Sequence, residues 1–553
     1  MKNKQKFTPV RFSHITSYAG VGAIVRGAED LLMVVPDIRY WTDRNKGISA
    51  EVIPYVTRIT MTLGIDKELR MPPEAKETDK GKIEGSYLPA ILFPRFAACK
   101  KCGLLHNNPW KQRNIDLKDE SLIICEDNGC TGKVEQVTWC AVSSQGHLAD
   151  VPWHFLCHQN PKKNNKKKCE ADFNTSYLKF IVDRNGKRNI KCKKCGSENT
   201  YENKKDLTFI SQSQPWLYGE SPKLEEKDIV EILEVNNPGV YLPQRENALV
   251  IPPESRISKT SVVARLHNNS KLCREIDNIK IPLLKKAKLQ TIANDLKCSM
   301  QELKDALKEI KMGYPNFDDF TISNLYEDEY KAFLHPLDNQ KDDEDFVTLH
   351  RSEDWKDLSK TDLPNELSAI VNITDQLIIA KRLREIQIFK GFYRINNEEE
   401  KNNLVPPDIN KGSSWLPAIE LFGEGVFFTL SEEILKKWEN VPAVNKRANE
   451  INKLYEKSEV NLFQDIEITP RFILLHTLAH LLVRELEATA GYPAASLSER
   501  IYSSYAEKMS GILIYTTVAD IAGSLGGIIE SAEPKTFLSI MEASVPIVKQ
   551  SHV

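Results

Sequence analysis

Nine of the eleven cysteines lie between Cys99 and Cys195, at the spacing of thiolate metal ligands. Cys99-Lys-Lys-Cys102 and Cys125-xxxx-Cys130 each place two sulfurs at the ends of a short turn. Two such knuckles close a tetrahedron around Zn²⁺, the architecture of a zinc ribbon. Gly103 follows the first knuckle and permits the tight turn that aims both sulfurs inward. A second set centres on Cys192-Lys-Lys-Cys195, with Cys169 as third ligand and either Cys157 or its neighbour His158 as fourth. Adjacent residues rarely ligate one metal, so only one of that pair is expected. Both sets take all four ligands from the protein and leave no open coordination position. The expectation is about two structural Zn²⁺ ions. Clustered CxxC pairs read as metal sites, whereas disulfide frameworks belong to small secreted domains. Cys140, Cys273 and Cys298 have no partner at knuckle spacing and read as buried thiols.

Other chemistry is incomplete. His476-Thr-Leu-Ala-His480 sets two imidazoles on one helical face, as in a zincin. Thr477 stands where a metalloprotease needs its general-base Glu. The surrounding leucines favour a packed helix, and the rival reading is a metal-dependent nuclease or hydrolase using His476, His480 and Asp520. No GxxxxGK[ST] phosphate loop and no GxSxG elbow occurs, so no catalytic residue is assigned and ATP hydrolysis by this chain alone is not expected. The glycines between 523 and 527 follow an expected strand. They suit a phosphate cradle or close helix–strand packing equally well.

Residues 162–205 are basic and interleaved with Phe173, Tyr177 and Phe180. That mixture suits contact with a nucleic-acid backbone, and a solvated face is the plainer alternative. The expected DNA-contacting residues are Lys166, Lys167, Lys168, Lys187, Arg188, Lys191, Lys193 and Lys194.

The elements that position these groups need more than one core, because 553 residues exceed what a single core accommodates. The expected fold class is α+β and multidomain, with zinc-ribbon-like modules between mixed α/β N- and C-terminal domains. The divisions fall at 1–85 (strands and loops), 86–205 (cysteine-rich), 206–440 (helical and mixed) and 441–553 (α/β). Residues 289–310 carry Ile292, Leu296, Met300, Leu303 and Leu307 at helical spacing, with a weaker suggestion of a helix-turn-helix around Lys297. Residues 470–490 predict a helix with proline at its start and leucines along one face, ended by Gly491. Residues 511–518 predict a buried strand. The formal net charge of −2 excludes a chain that is basic throughout. The basic N-terminus leads into no apolar signal segment. The apolar runs 472–483 and 511–529 are shorter or more interrupted than the about 20 residues that span a bilayer. A cytoplasmic protein with no membrane partner is expected.

Several segments together resemble one family. They are Arg11-Phe-Ser-His-Ile-Thr-Ser-Tyr-Ala-Gly-Val-Gly22, Leu92-Phe-Pro-Arg-Phe-Ala-Ala-Cys99, and Gln145-Gly-His-Leu-Ala-Asp150-Val-Pro-Trp153. Further on come Arg382-Leu-Arg-Glu-Ile, Gly391-Phe-Tyr-Arg394, Gly423-Glu-Gly425, His476-xxx-His480, and Tyr515…Asp520…Gly523…Gly526-Gly527. The combination is similar to the DrmB family, helicase-associated components of DISARM anti-phage defence systems. It also resembles a domain at the C-terminal end of certain zinc-containing DNA-repair helicases. The resemblance implies a non-catalytic partner of a separate DrmA-like helicase subunit, engaging DNA in a heterodimer or larger defence complex. In that family a histidine five residues after the tryptophan falls at His158. His147, Asp150, His476, His480 and Asp520 would then serve architecture or DNA contact. Members continue beyond the position of Val553 into a cysteine-containing segment, whereas this sequence has no cysteine after Cys298.

Overall fold

The computed structural model describes residues 8–27, 30–41, 51–73, 75–77, 83–85, 88–110, 123–159, 169–172, 175–202, 204, 230–256, 261–267, 272, 276, 278–312, 324–337, 340–395, 404–409, 412–456, 468–493, 496–518 and 526–544. The fold is α+β. Two compact units emerge, each assembled from separated stretches of chain. One comprises Met1–Val52, Glu68–Glu246 and Ile388–Ile419, the other Ile53–Lys67, Asn247–Gln387 and Glu420–Val553.

The first unit holds small antiparallel sheets. In one, Phe96–Cys99 runs between Leu105–Asn107 and Val134–Gln136; in another, Arg188–Cys192 runs between Leu178–Val182 and Glu198–Thr200. These are the two ribbons. A third has Trp139–Ser143 between Leu148–Asp150 and Val230–Glu234. Sheets this short bury little surface alone, so they depend on shared clusters. Trp153, Leu156, Tyr177, Ile190, Tyr201 and Ile232 fill one, and Val21, Val34, Trp41, Phe93, Phe389 and Phe392 another. Arg394 is fully buried inside this unit. Its guanidinium donates to the carbonyls of Gly22 (2.7 Å), Gly146 (3.1 Å) and Val240, so one side chain satisfies three loops.

The second unit is organised on the strands Phe346–His350, Met509–Val518 and Leu497–Ser504, with residues 374–387 of Thr374–Tyr393 and 420–430 of Trp415–Leu430. Alternate residues of a strand point to opposite faces, and here both faces are covered. Val426, Phe428, Ile512 and Ile514 meet Leu475, Ala479, Leu482 and Phe537 on one side. Phe427, Leu513 and Tyr515 meet Tyr330 and Phe333 on the other. Double coverage explains why residues 511–518 are so continuously apolar.

The helix Pro470–Ala490 starts with Thr469 Oγ1 accepting from the Phe472 amide at 3.1 Å and ends at Gly491, whose φ is +72°. Residues 289–310 divide between the helices Pro282–Asp295 and Met300–Lys311. Lys297 turns the chain with φ +50°, and Ser299 and Glu302 form a reciprocal capping box. The exposed side of the second helix mixes Lys304, Lys308 and Lys311 with Glu302, Asp305 and Glu309. Such mixed charge gives no reason to assign it to DNA reading. Among the described residues, no helix is long and apolar enough to cross a membrane.

Candidate metal centres

In the first ribbon the strand Phe96–Cys99 carries Cys99 into a turn closed by Gly103 N–H donating to the Cys99 carbonyl at 2.9 Å. The facing turn is closed by the Cys130 amide on the Asp127 carbonyl at 2.9 Å, and the Asp127 amide donates to Cys125 Sγ at 3.4 Å. The two knuckles bring Cys99 Sγ within 3.7 Å of Cys130 Sγ, and Cys102 Sγ within 3.5 Å of Cys125 Sγ. Zn–S bonds of about 2.3 Å on a tetrahedron imply sulfur–sulfur edges of about 3.8 Å. The four sulfurs therefore already stand at a spacing that fits zinc. Gly132 makes room for them, since a Cβ there would lie 2.5 Å from Cys99 Sγ. Burial raises the Cys99 thiol, but N–H groups of Cys102 and Lys101 and the neighbouring thiols outweigh it and bring it to about 7. Burial holds Cys125 well above the usual thiol range. A cation resolves this conflict by stabilising the thiolates together.

The second ribbon supplies Cys169 and Cys192, 3.8 Å apart, and Cys195. Its remaining ligand comes from the short helix Trp153–His158, which buries Trp153, Leu156 and Cys157. Successive helical positions point about 100° apart, so burying Cys157 turns His158 outward. Cys157 Sγ meets the carbonyls of Ser197 (3.3 Å) and Ile190 (3.5 Å), and burial pushes its thiol up to about 12. His158 Nε2 instead lies 3.2 Å from Cys195 Sγ. Its Nδ1 lies 2.6 Å from the His154 carbonyl, which can only accept, so Nδ1 carries the proton and Nε2 presents its lone pair. Burial raises the Cys195 thiol, yet the Ser197 hydroxyl and amide, Cys192 and His158 together bring it to about 6. The structure thus brings together Cys99, Cys102, Cys125 and Cys130 in one set, and His158, Cys169, Cys192 and Cys195 in another. Either set could hold a zinc ion. Cys140 is buried in its strand, its thiol pushed up to about 12 by desolvation. Cys273 lies outside the described residues.

The chain is similar to DISARM protein DrmB of Bacillus paralicheniformis (strain ATCC 9945a / NCIMB 11709 / CD-2). Identity is 26% over 528 residues, covering 90% of this chain and 84% of that relative. Residues 11–242, which contain both ribbons, match a domain of unknown function (DUF8724).

The polar residues of the resembling segments hold backbone in place. Asp150 accepts from the Arg95 amide and from Arg95 Nε, both at 2.8 Å, which ties the strand before the first knuckle to the Gly146–Trp153 segment. His147 closes a turn, its carbonyl accepting from the Ser143 amide at 3.1 Å. Glu424 is buried and accepts from the Ile528 amide at 2.9 Å, at the start of the helix Gly527–Ser531. Glu385 accepts from Tyr515 Oη at 2.7 Å.

Of the expected DNA-contacting residues, Lys166, Lys167 and Lys168 lie outside the described residues. Arg188 pairs with Glu202 at 3.3 Å, Lys191 with Glu198 at 3.4 Å and Lys193 with Asp127 at 2.7 Å. Lys179 also reaches Asp127, at 2.9 Å. These two lysines hold the Asp127 carboxyl down at about 2. Lys187 and Lys194 are exposed. His476 and His480 come together with Glu499, a residue that sequence reasoning missed, and Asp520 lies outside the described residues. Glu499 arrives from Leu497–Ser504, the strand that directly follows the histidine helix, and no spacing rule announces such a partner.

Proposed function

We propose that this chain is a zinc-stabilised, non-catalytic accessory component of a DISARM-type anti-phage defence complex in the cytoplasm. It binds a separate DrmA-like helicase subunit and helps that subunit hold DNA. The observation that carries this reading is the likeness to DISARM protein DrmB along 90% of the chain. Two four-ligand sites closed by protein side chains support it, because closed zinc sites are structural. So does the occupation of Asp150, Arg394 and Glu424 in fixing backbone. The ribbons would take Cys99, Cys102, Cys125 and Cys130, and His158, Cys169, Cys192 and Cys195, as ligands. The basic strand of the second ribbon would face the DNA backbone.

Co-expression with a DrmA-like helicase subunit tests the reading. Both chains are expected to elute together, and the pair to bind DNA more tightly than the helicase alone. A chain that elutes alone, with the helicase's DNA affinity unchanged, would sink it. Within the pair, reversing Lys187 and Lys194 to Glu should weaken DNA binding and shallow its salt dependence by about one phosphate contact per residue.

A further inference from the structure

The helix Pro470–Ala490 packs its leucines inward and turns His476 and His480 the other way. They stand one helical turn apart, with their Nε2 atoms separated by 3.2 Å. Two imidazoles on one tetrahedral Zn²⁺ have Zn–N bonds of about 2.0–2.1 Å, so their nitrogens stand about 3.3 Å apart. Glu499 projects from the strand Leu497–Ser504. Its Oε1 lies 2.9 Å from His476 Nδ1 and 3.5 Å from His480 Nε2. All three side chains offer a ligand atom within 4.8 Å of the others. Glu499 Oε2 is buried and has no hydrogen-bond partner among the described residues. An unpartnered carboxylate oxygen beside two converging imidazoles is costly unless a cation joins them.

We infer that His476, His480 and Glu499 form a third metal site, open where the ribbon sites are closed, which takes a Zn²⁺-like divalent cation. Two imidazoles and a carboxylate are the ligand chemistry that suits such an ion. Among the described residues, three ligands leave at least one coordination position unfilled. The side chain of His480 is 62% exposed, so that position faces solvent and accepts water or an anionic oxygen ligand such as a phosphate. Thr477 occupies the position of a zincin's general base, and its hydroxyl donates to the Ile473 carbonyl at 2.7 Å. The helix therefore offers a place to bind an oxygen ligand without the carboxylate that would activate water.

The test uses the full chain and Zn²⁺ itself. After dialysis against a mild chelator, Zn²⁺ is titrated back in competition with a chromophoric chelator. The wild type is expected to take up one further equivalent reversibly, beyond those that dialysis leaves in the ribbons. His480→Ala and Glu499→Gln should each weaken that uptake by about tenfold or more and retain the ribbon zinc. Co²⁺ in the third site should give ligand-field absorption without thiolate charge transfer. Absence of a further equivalent in the wild type overturns the inference, as does equal uptake by both variants. His480 is exposed, so its replacement should leave Tm unchanged and the readout interpretable. Zinc missing from the ribbons would count against the accessory-subunit reading and leave this result standing.

Discussion

At the scale of single residues, the second zinc set turns on which of two neighbours faces the sulfurs. Sequence spacing left Cys157 and His158 open, because a loop could present either. The helix Trp153–His158 decides the geometry: Trp153, Leu156 and Cys157 form an i, i+3, i+4 buried stripe, and His158 shares the outer side with His154. That stripe was visible in the sequence, but its use required knowing that the segment is helical. His158→Ala should therefore lower bound zinc by one ion per chain. Cys157→Ala should keep the full zinc content and cost no more than about 2 kcal/mol in packing. Elemental analysis and thermal melts of the two variants separate the readings, and zinc loss in Cys157→Ala alone would reverse the assignment. His106, buried in the first ribbon, gives a pH prediction. Burial holds its imidazole below the usual value, more strongly than Glu126 and Asp127 raise it. The unfolded chain therefore binds the proton more readily. This contribution to stability is full above the ordinary imidazole pKa of about 6.5 and is lost as pH falls toward the folded value. His106→Leu should flatten the decline of Tm between about pH 7 and pH 5 relative to the wild type. Parallel declines would remove His106 from the acid response.

At the scale of elements, the ribbons depend on one another through the first knuckle. The Gly103 carbonyl accepts from the Phe180 amide at 2.8 Å, and Leu104 bridges to Lys179. Gly103 has φ +72°, and a Cβ there would lie 2.2 Å from the Phe180 carbonyl oxygen. Its left-handed conformation alone costs an L side chain about 1–2 kcal/mol, and the clash falls on backbone that cannot turn aside. Gly103→Ala should lose more than about 2 kcal/mol and lower Tm by several degrees in a calorimetric scan. A melt within a degree of wild type would show that the ribbons are not held through this contact. The turn itself was legible, since glycine after a knuckle is a local signal. The docking of a second ribbon on its open side was not, because that contact joins residues about 75 positions apart. The helix Pro470–Ala490 was legible for the opposite reason. Its proline start, leucine period and glycine stop are all local signals.

At the scale of the molecule, chain order and spatial order diverge, and this is where sequence reading reached least. Each compact unit gathers three separated stretches of chain. Segments that look independent in sequence meet in space: Gly22, Gly146 and Val240 share Arg394, and Arg95 shares Asp150 with the segment around Gly146. Both four-ligand sets lie in the first unit, among short sheets with small cores, whereas the second has a sheet packed on both faces. Zinc should therefore carry stability unevenly, because binding energy at a closed site is folding energy for the elements that supply its ligands. Stripping the metal with a strong chelator should raise amide hydrogen exchange at least about tenfold in Phe96–Cys99, Leu178–Val182 and Arg188–Cys192. Exchange in Met509–Val518 and the helix Pro470–Ala490 should stay within about twofold of the metal-bound protein, since their protection comes from Leu475, Leu482, Ile512 and Phe537. Mass-spectrometric exchange on the full chain reads both regions in one experiment. Equal deprotection of both would mean that the ribbons hold the whole molecule together, and unchanged ribbon strands would mean that metal is not what holds them.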